Sequence, residues 1–179
     1  EGEIIQLSNT NASDFSEEVY FNVIRKKTAA LFSTAAEAGA QSARTSGEKA
    51  EKARLFGEMI GIAFQIKDDI FDYSTSDIGK PTGNDMREGK LTLPALYVLN
   101  TCADEKMKEL ALRIRSLGAT KEEITVFIEW IKEKGGIDYA HKMMAAFRNK
   151  ALDLLPPSVD REIKEALTAY IDYVIDRNK

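Results

Sequence analysis

The stretch Phe64-Gln65-Ile66-Lys67-Asp68-Asp69-Ile70-Phe71-Asp72 sets three carboxylates and an amide into an otherwise apolar run. Just upstream, Leu55-Phe56-Gly57-Glu58-Met59-Ile60-Gly61-Ile62-Ala63-Phe64 is apolar on nearly every face of a helix predicted from Ala53 to Tyr73. A helix of that kind is central and buried. Gly57 and Gly61 would let a neighbouring helix approach closely, which reads as packing. Asp68 and Asp72 are four apart and share one face, one turn apart. Ionised carboxylates in apolar surroundings are costly unless a cation or dense hydrogen bonding answers them. These also sit near the helix C-terminus, where the macrodipole disfavours negative charge. Oxygen ligands suit a hard cation such as Mg²⁺, so Asp68, Asp69 and Asp72 are read as metal ligands in preference to a solvated acidic helix end. Gln65, one turn earlier, is either a core amide satisfied by backbone or a member of the same site.

Outward from this helix the chain reads as helix after helix, without strictly alternating β-branched runs and with only four prolines. Asp14 and Glu17 resemble a capping pair. The helix after them carries Val19, Val23, Ile24, Leu31 and Phe32 and is expected to stop near Gly39, with a further break at Gly47. Pro94 belongs in the first turn of a helix capped near Thr92 or Leu93. An amphipathic helix spans Asp104 to Ser116. Thr120 and Glu123 form a capping box ahead of the stripe Ile124, Phe127, Ile128, Ile131, and Gly135-Gly136 ends that helix. Another helix runs from Ile137 to Leu155 and stops at Pro156-Pro157. The last spans about Val159 to Asp176, with Ile163, Leu167, Tyr170 and Val174 inward. The expected fold is a single all-α domain over 1–179, a helical bundle.

Two further groups of residues carry possible chemistry. Val23, Lys27 and Leu31 are spaced by four, which puts Lys27 on an apolar stripe beside Thr28. It either snorkels to water at the stripe edge or serves a site. Lys80, Asp85 and Lys90 lie in a loop expected from Ser74 to Thr92. Loops of that length are functional or disordered, and Gly79, Gly83 and Gly89 would let backbone approach a ligand. Carboxylates followed by lysines suit a metal-bound phosphate ester. Gly83 through Gly89-Lys90-Leu91-Thr92 imitates a nucleotide-binding P-loop. Its spacing is one residue too long, Leu91 replaces Ser or Thr, and a helix precedes it where a strand belongs.

The totals exclude several classes. A net charge of −4 argues against nucleic-acid binding. The one cysteine, Cys102, cannot form an internal disulfide, which fits a cytoplasmic setting. The one histidine, His141, removes multi-histidine zinc sites and disfavours a Ser-His-Asp triad. No signal peptide or transmembrane segment is visible. The chain opens on Glu1-Gly2-Glu3 without an initiator Met, as a fragment of a longer protein would.

Taken together, Phe64-Gln65-Ile66-Lys67-Asp68-Asp69-Ile70-Phe71-Asp72, Gly79-Lys80 and Asp85-x4-Lys90-x-Thr92-Leu93-Pro94 resemble the second aspartate-rich motif of trans-polyprenyl diphosphate synthases. Tyr20-x2-Val23-Ile24-x2-Lys27-Thr28-Ala29-x-Leu31 looks like that family's Lys-Thr helix. Glu1-Gly2-Glu3-x2-Gln6-Leu7 resembles the segment before it, and Gly135-Gly136-Ile137-x2-Ala140 a later landmark.

The resemblance implies a helical bundle of the isoprenoid synthase type, here its C-terminal half. It implies a Mg²⁺-dependent prenyltransferase that joins isopentenyl diphosphate to an allylic prenyl diphosphate by ionisation, condensation and elimination. By matched position Asp68 is the main metal ligand, with Asp69 and Asp72 acting directly or through water. Lys27, Lys80 and Lys90 hold diphosphate oxygens. Thr28 and Gln65 line the site near the reacting carbons, and Glu3 and Gln6 are further substrate-binding candidates. The family usually forms homodimers. Its first aspartate-rich motif has no counterpart, since no second Asp-Asp pair occurs; the chain alone is therefore expected to be inactive. Two alternatives stand beside this reading: a non-catalytic helical subunit of a heteromeric prenyltransferase, and a class I terpene cyclase. The all-aspartate motif disfavours the second.

Overall fold

A computed structural model describes residues 15–74 and 82–176. Every regular element among them is helical: α1 (Glu17–Ile24), a π-helical turn (Arg25–Ala29), α2 (Ala30–Ser42), α3 (Gly47–Phe71), α4 (Asn84–Arg87), α5 (Leu93–Thr101), α6 (Glu105–Arg115), α7 (Lys121–Glu133), α8 (Gly136–Asp153) and α9 (Arg161–Asp176). The described residues divide into two compact units, one of 15–23 with 68–74 and 82–141 and the other of 24–67 with 142–176. No helix among the described residues is long and apolar enough to cross a membrane.

In the first unit the predicted local signals form as read. Thr120 accepts from the Glu123 amide at 3.3 Å while Glu123 accepts from the Thr120 amide at 2.8 Å, closing both halves of the capping box. The stripe Ile124, Phe127, Ile128 and Ile131 is buried, and Trp130 stacks on Phe127 with ring centroids 5.6 Å apart. Burying each such side chain contributes about 1.5–3 kcal/mol. Asp104 caps α6 by accepting from Met107 N, and Pro94 lies in the first turn of α5. At α1 the cap is Ser16, whose hydroxyl accepts from Val19 N; Asp14 lies outside the described residues.

Helix α3 runs for 25 residues, and in the second unit its Ile60, Ile62, Ala63 and Ile66 are buried. Gly47 begins this helix and does not break the one before it. Likewise α2 passes Gly39, where an added Cβ would meet nothing within 4 Å, and ends at Ser42.

Two predicted faces are corrected. Leu31 is 73% exposed and Lys27 is exposed, so the stripe Val23, Lys27, Leu31 does not exist. The buried positions are Tyr20, Val23, Ile24, Ala29 and Ser33, with a five-residue step from Ile24 to Ala29 across the π-helical turn. A π turn closes i→i+5 hydrogen bonds and so advances the register by one residue. On α9, Ile163 and Tyr170 are exposed, and the buried residues are Ile171, Val174 and Ile175. Arg148 of α8 donates from Nε and Nη2 to the two carboxylate oxygens of Asp172.

Candidate active site

In the first unit the chemistry gathers where α3 ends. Asp69 is buried, and the buried Tyr20 hydroxyl donates to its Oδ2 at 2.6 Å. Burial pushes the Tyr20 phenol well above its ordinary range, and the Asp69 charge and hydrogen bond push the same way. Tyr20 therefore stays protonated and remains a donor. One turn on, buried Tyr73 shares a 3.1 Å hydrogen bond with the Thr92 hydroxyl. Burial also raises this phenol; the Thr92 bond opposes the rise, and the charges of Asp69, Asp72 and Asp85 add to it. Both phenols thus sense a field made by carboxylates.

Asp72 does something the sequence reading did not foresee. Its Oδ1 accepts from Asn84 N at 2.8 Å and its Oδ2 from Asp85 N at 3.0 Å, while its own carbonyl accepts from Gly83 N at 2.9 Å. The short helix α4 starts from Gly83, which has no side chain to cap it and sits at φ +78°. Its orphan N–H groups need acceptors, and a carboxylate at a helix N-terminus is favourable. Asp72 thereby ties residues 82–92 back onto α3. The segment expected as one long loop has this helix inside it. Asp85 O accepts from Lys90 N at 2.8 Å, and the Lys90 ammonium bonds Glu88 and lies 4.0 Å from Asp85 Oδ1.

In the second unit Thr28, on the π-helical turn, donates from Oγ1 to Gln65 Oε1 at 2.7 Å. Two residues picked separately from the sequence are therefore hydrogen-bonded partners. Lys27, adjacent on the same turn, is exposed.

Among the described residues no three His, Cys, Asp or Glu side chains converge where they could hold a metal. Asp69 is engaged by Tyr20 and Asp72 by backbone, while Asp68 is half-buried. This donor set does not fit a dehydrated, all-protein cage. It does fit Mg²⁺, which keeps several waters and is held through one or two carboxylates plus substrate phosphates. Lys80, Glu3 and Gln6 lie outside the described residues. Tyr20, Tyr73 and Thr92 were missed as site supports. The available signal was that a buried tyrosine needs a partner for its hydroxyl.

A polyprenyl synthetase family model matches residues 1–131. An octaprenyl diphosphate synthase of Haemophilus influenzae is 34% identical over 180 residues, which is 99% of this chain and 54% of that protein. A short chain isoprenyl diphosphate synthase of Methanothermobacter thermautotrophicus is also 34% identical, with the same 99% and 54% coverage. Among solved structures, a geranylgeranyl pyrophosphate synthase from Bacteroides thetaiotaomicron matches with TM-score 0.94 and 55% identity, over 98% of this chain and 59% of that one. A polyprenyl synthase from Caulobacter crescentus, complexed with calcium and isoprenyl diphosphate, matches with TM-score 0.88 and 34% identity, over 99% of this chain and 55% of that one. The chain spans about half the length of the curated relatives it matches.

Proposed function

This chain belongs to the polyprenyl synthetase family, and from that premise we propose that it is part of a Mg²⁺-dependent trans-prenyltransferase. The enzyme joins isopentenyl diphosphate to an allylic prenyl diphosphate and releases a longer prenyl diphosphate. The allylic carbon–oxygen bond breaks, diphosphate leaves, the isopentenyl double bond forms the new carbon–carbon bond, and a proton is lost to the departed diphosphate. Residues 1–179 act as one all-α portion, need an upstream half for turnover, and work as a cytoplasmic homodimer.

The observation that carries the reading is that Asp69 and Asp72, at the end of α3 next to Asp68, are fixed by the Tyr20 hydroxyl and by the Asn84 and Asp85 amides. Mg²⁺ held by Asp68, with Asp69 and Asp72 direct or through water, would supply positive charge against the leaving diphosphate. Tyr20 holds Asp69 in place. Asp72 anchors the segment that carries Lys90. That lysine exchanges Glu88, an exposed partner worth only about 0–1 kcal/mol, for a diphosphate oxygen; Lys27 and Lys80 bind further oxygens. Glu3 and Gln6 contact substrate. Thr28 and Gln65 direct their dipoles at the carbon where positive charge develops. That a Caulobacter relative is complexed with calcium and isoprenyl diphosphate supports a divalent cation and a prenyl diphosphate as the ligand classes.

The test is a Mg²⁺-dependent condensation assay on the full-length protein with isopentenyl and farnesyl diphosphates, products identified by mass. A longer prenyl diphosphate is expected. A hydrocarbon or alcohol would indicate a cyclase, and no product a non-catalytic partner.

A further inference from the structure

We propose that Gly61 is a positioning residue for the Thr28–Gln65 pair and acts on it through the π-helical turn; the catalytic consequence rests on the prenyl-transfer reading above. Gly57, Gly61 and Gln65 recur every four residues and form one face of α3. Along that face, an added Cβ at Gly57 would lie 2.3 Å from Phe32 O and 2.9 Å from Ala36 Cβ. At Gly61 it would lie 2.6 Å from Ala29 Cα and 2.9 Å from Ala29 Cβ. One turn further on, Gln65 accepts from Thr28. The two segments therefore run antiparallel with backbone nearly on backbone, and the hydrogen bond is the next contact in line.

The π-helical turn determines which side chain arrives there. Its five-residue step brings Ala29, which is fully buried, under Gly61 and leaves Leu31 at the surface. With uninterrupted α-helical spacing, the four-residue stripe through Val23 and Lys27 would have led to Leu31. Such π turns are uncommon and concentrate at functional positions. Ordinary carbon contacts begin near 3.4 Å, so a methyl at position 61 has to move the turn away by about 1 Å. A displacement of that size at a reacting centre lowers rate by about 100-fold. It also stretches a 2.7 Å hydrogen bond out of range.

The experiment is a double-mutant cycle in the full-length protein with Gly61→Ala, Thr28→Val and both together, with folding checked by circular dichroism. Gly61→Ala is expected to lower kcat about 100-fold while KM changes less than about threefold. In the Thr28→Val background the same change should lower kcat by less than about threefold, because the pair it acts through is already broken. Fully multiplicative losses, or an unchanged kcat in folded Gly61→Ala protein, would overturn the proposal. If Gly61→Ala does not fold, Ala29→Gly takes its place in the cycle, since it loosens the same contact without a clash. A crystal structure of whichever variant folds gives a readout independent of turnover. A Thr28 Oγ1 to Gln65 Oε1 separation beyond about 3.5 Å supports the positioning role, and an intact bond refutes it. If the unsubstituted enzyme makes no prenyl product, the function reading fails, and that separation alone decides the positioning claim.

Discussion

Tyr20 and Asp69 are 49 residues apart in sequence and joined by a 2.6 Å hydrogen bond in which the phenol donates and the buried carboxylate accepts. Hydrogen bonds to charged groups contribute about 1.5–3 kcal/mol. Tyr20→Phe should therefore lower the unfolding free energy by about that amount in urea denaturation. An unchanged midpoint would mean Asp69 does not depend on this donor.

The same burial makes an alkaline prediction. Tyr20 and Tyr73 both have raised phenol pKa values when folded. Their contribution to stability is fully present below the ordinary tyrosine value of about 10 and is lost as pH rises through the folded values. An ultraviolet phenolate titration should leave these two of the six tyrosines un-ionised until the fold opens. Smooth ionisation of all six in the folded protein would contradict it.

Asp72 is expected to hold the 82–92 segment as well as to serve the metal. Asp72→Ala should speed amide hydrogen exchange at Asn84 and Asp85 by at least about 10-fold, the equivalent of about 1.4 kcal/mol of lost protection. Unaltered exchange at both amides would remove the tether from the account of this site.

The Arg148–Asp172 fork predicts an acid effect of known sign. The Arg148 hydrogen bond holds the Asp172 carboxyl below its usual range. Stability from the pair is present above the ordinary carboxylate value of about 3.9 and disappears as pH falls through the lower folded value. Both side chains are partly exposed, at 26% and 36%, so the pair contributes only about 0.5–1 kcal/mol after solvent screening. The Tm difference between the native protein and Asp172→Asn should close as pH drops from 7 toward 2. A constant gap would show that the charge is not what matters.

Two glycine substitutions in α-helices should behave oppositely. Gly39→Ala meets open space and should stabilise by about 0.5–1 kcal/mol. Gly57→Ala brings a methyl within 2.3 Å of Phe32 O and should destabilise by about 1–3 kcal/mol. Thermal melts of the two variants check the pair; a stabilised Gly57→Ala would contradict the close helix contact.

What the sequence made legible was local. The Thr120–Glu123 box, the Ile124 to Ile131 stripe, the Asp104 cap and Pro94 in a first turn depend on residues a few positions apart, and all form. What it hid was set at long range. Val23, Lys27 and Leu31 have unbroken four-residue spacing, which gives no sign of the π-helical turn that sets Ala29 against Gly61. The tethering role of Asp72 was hidden because nothing local shows that α4, lacking a side-chain cap, draws on a carboxylate 12 residues earlier. Thr28 and Gln65 were each legible as candidates, and their hydrogen bond across 37 residues was not.

The most direct measurement is the Mg²⁺ dependence of prenyl transfer by the full-length protein with and without Asp68→Ala. Removing a carboxylate that holds metal against developing diphosphate charge should lower turnover by at least about 100-fold and raise the Mg²⁺ concentration needed for half-maximal rate. Turnover and Mg²⁺ requirement both unchanged in the folded Asp68→Ala enzyme would contradict a metal-assisted diphosphate site at the end of α3.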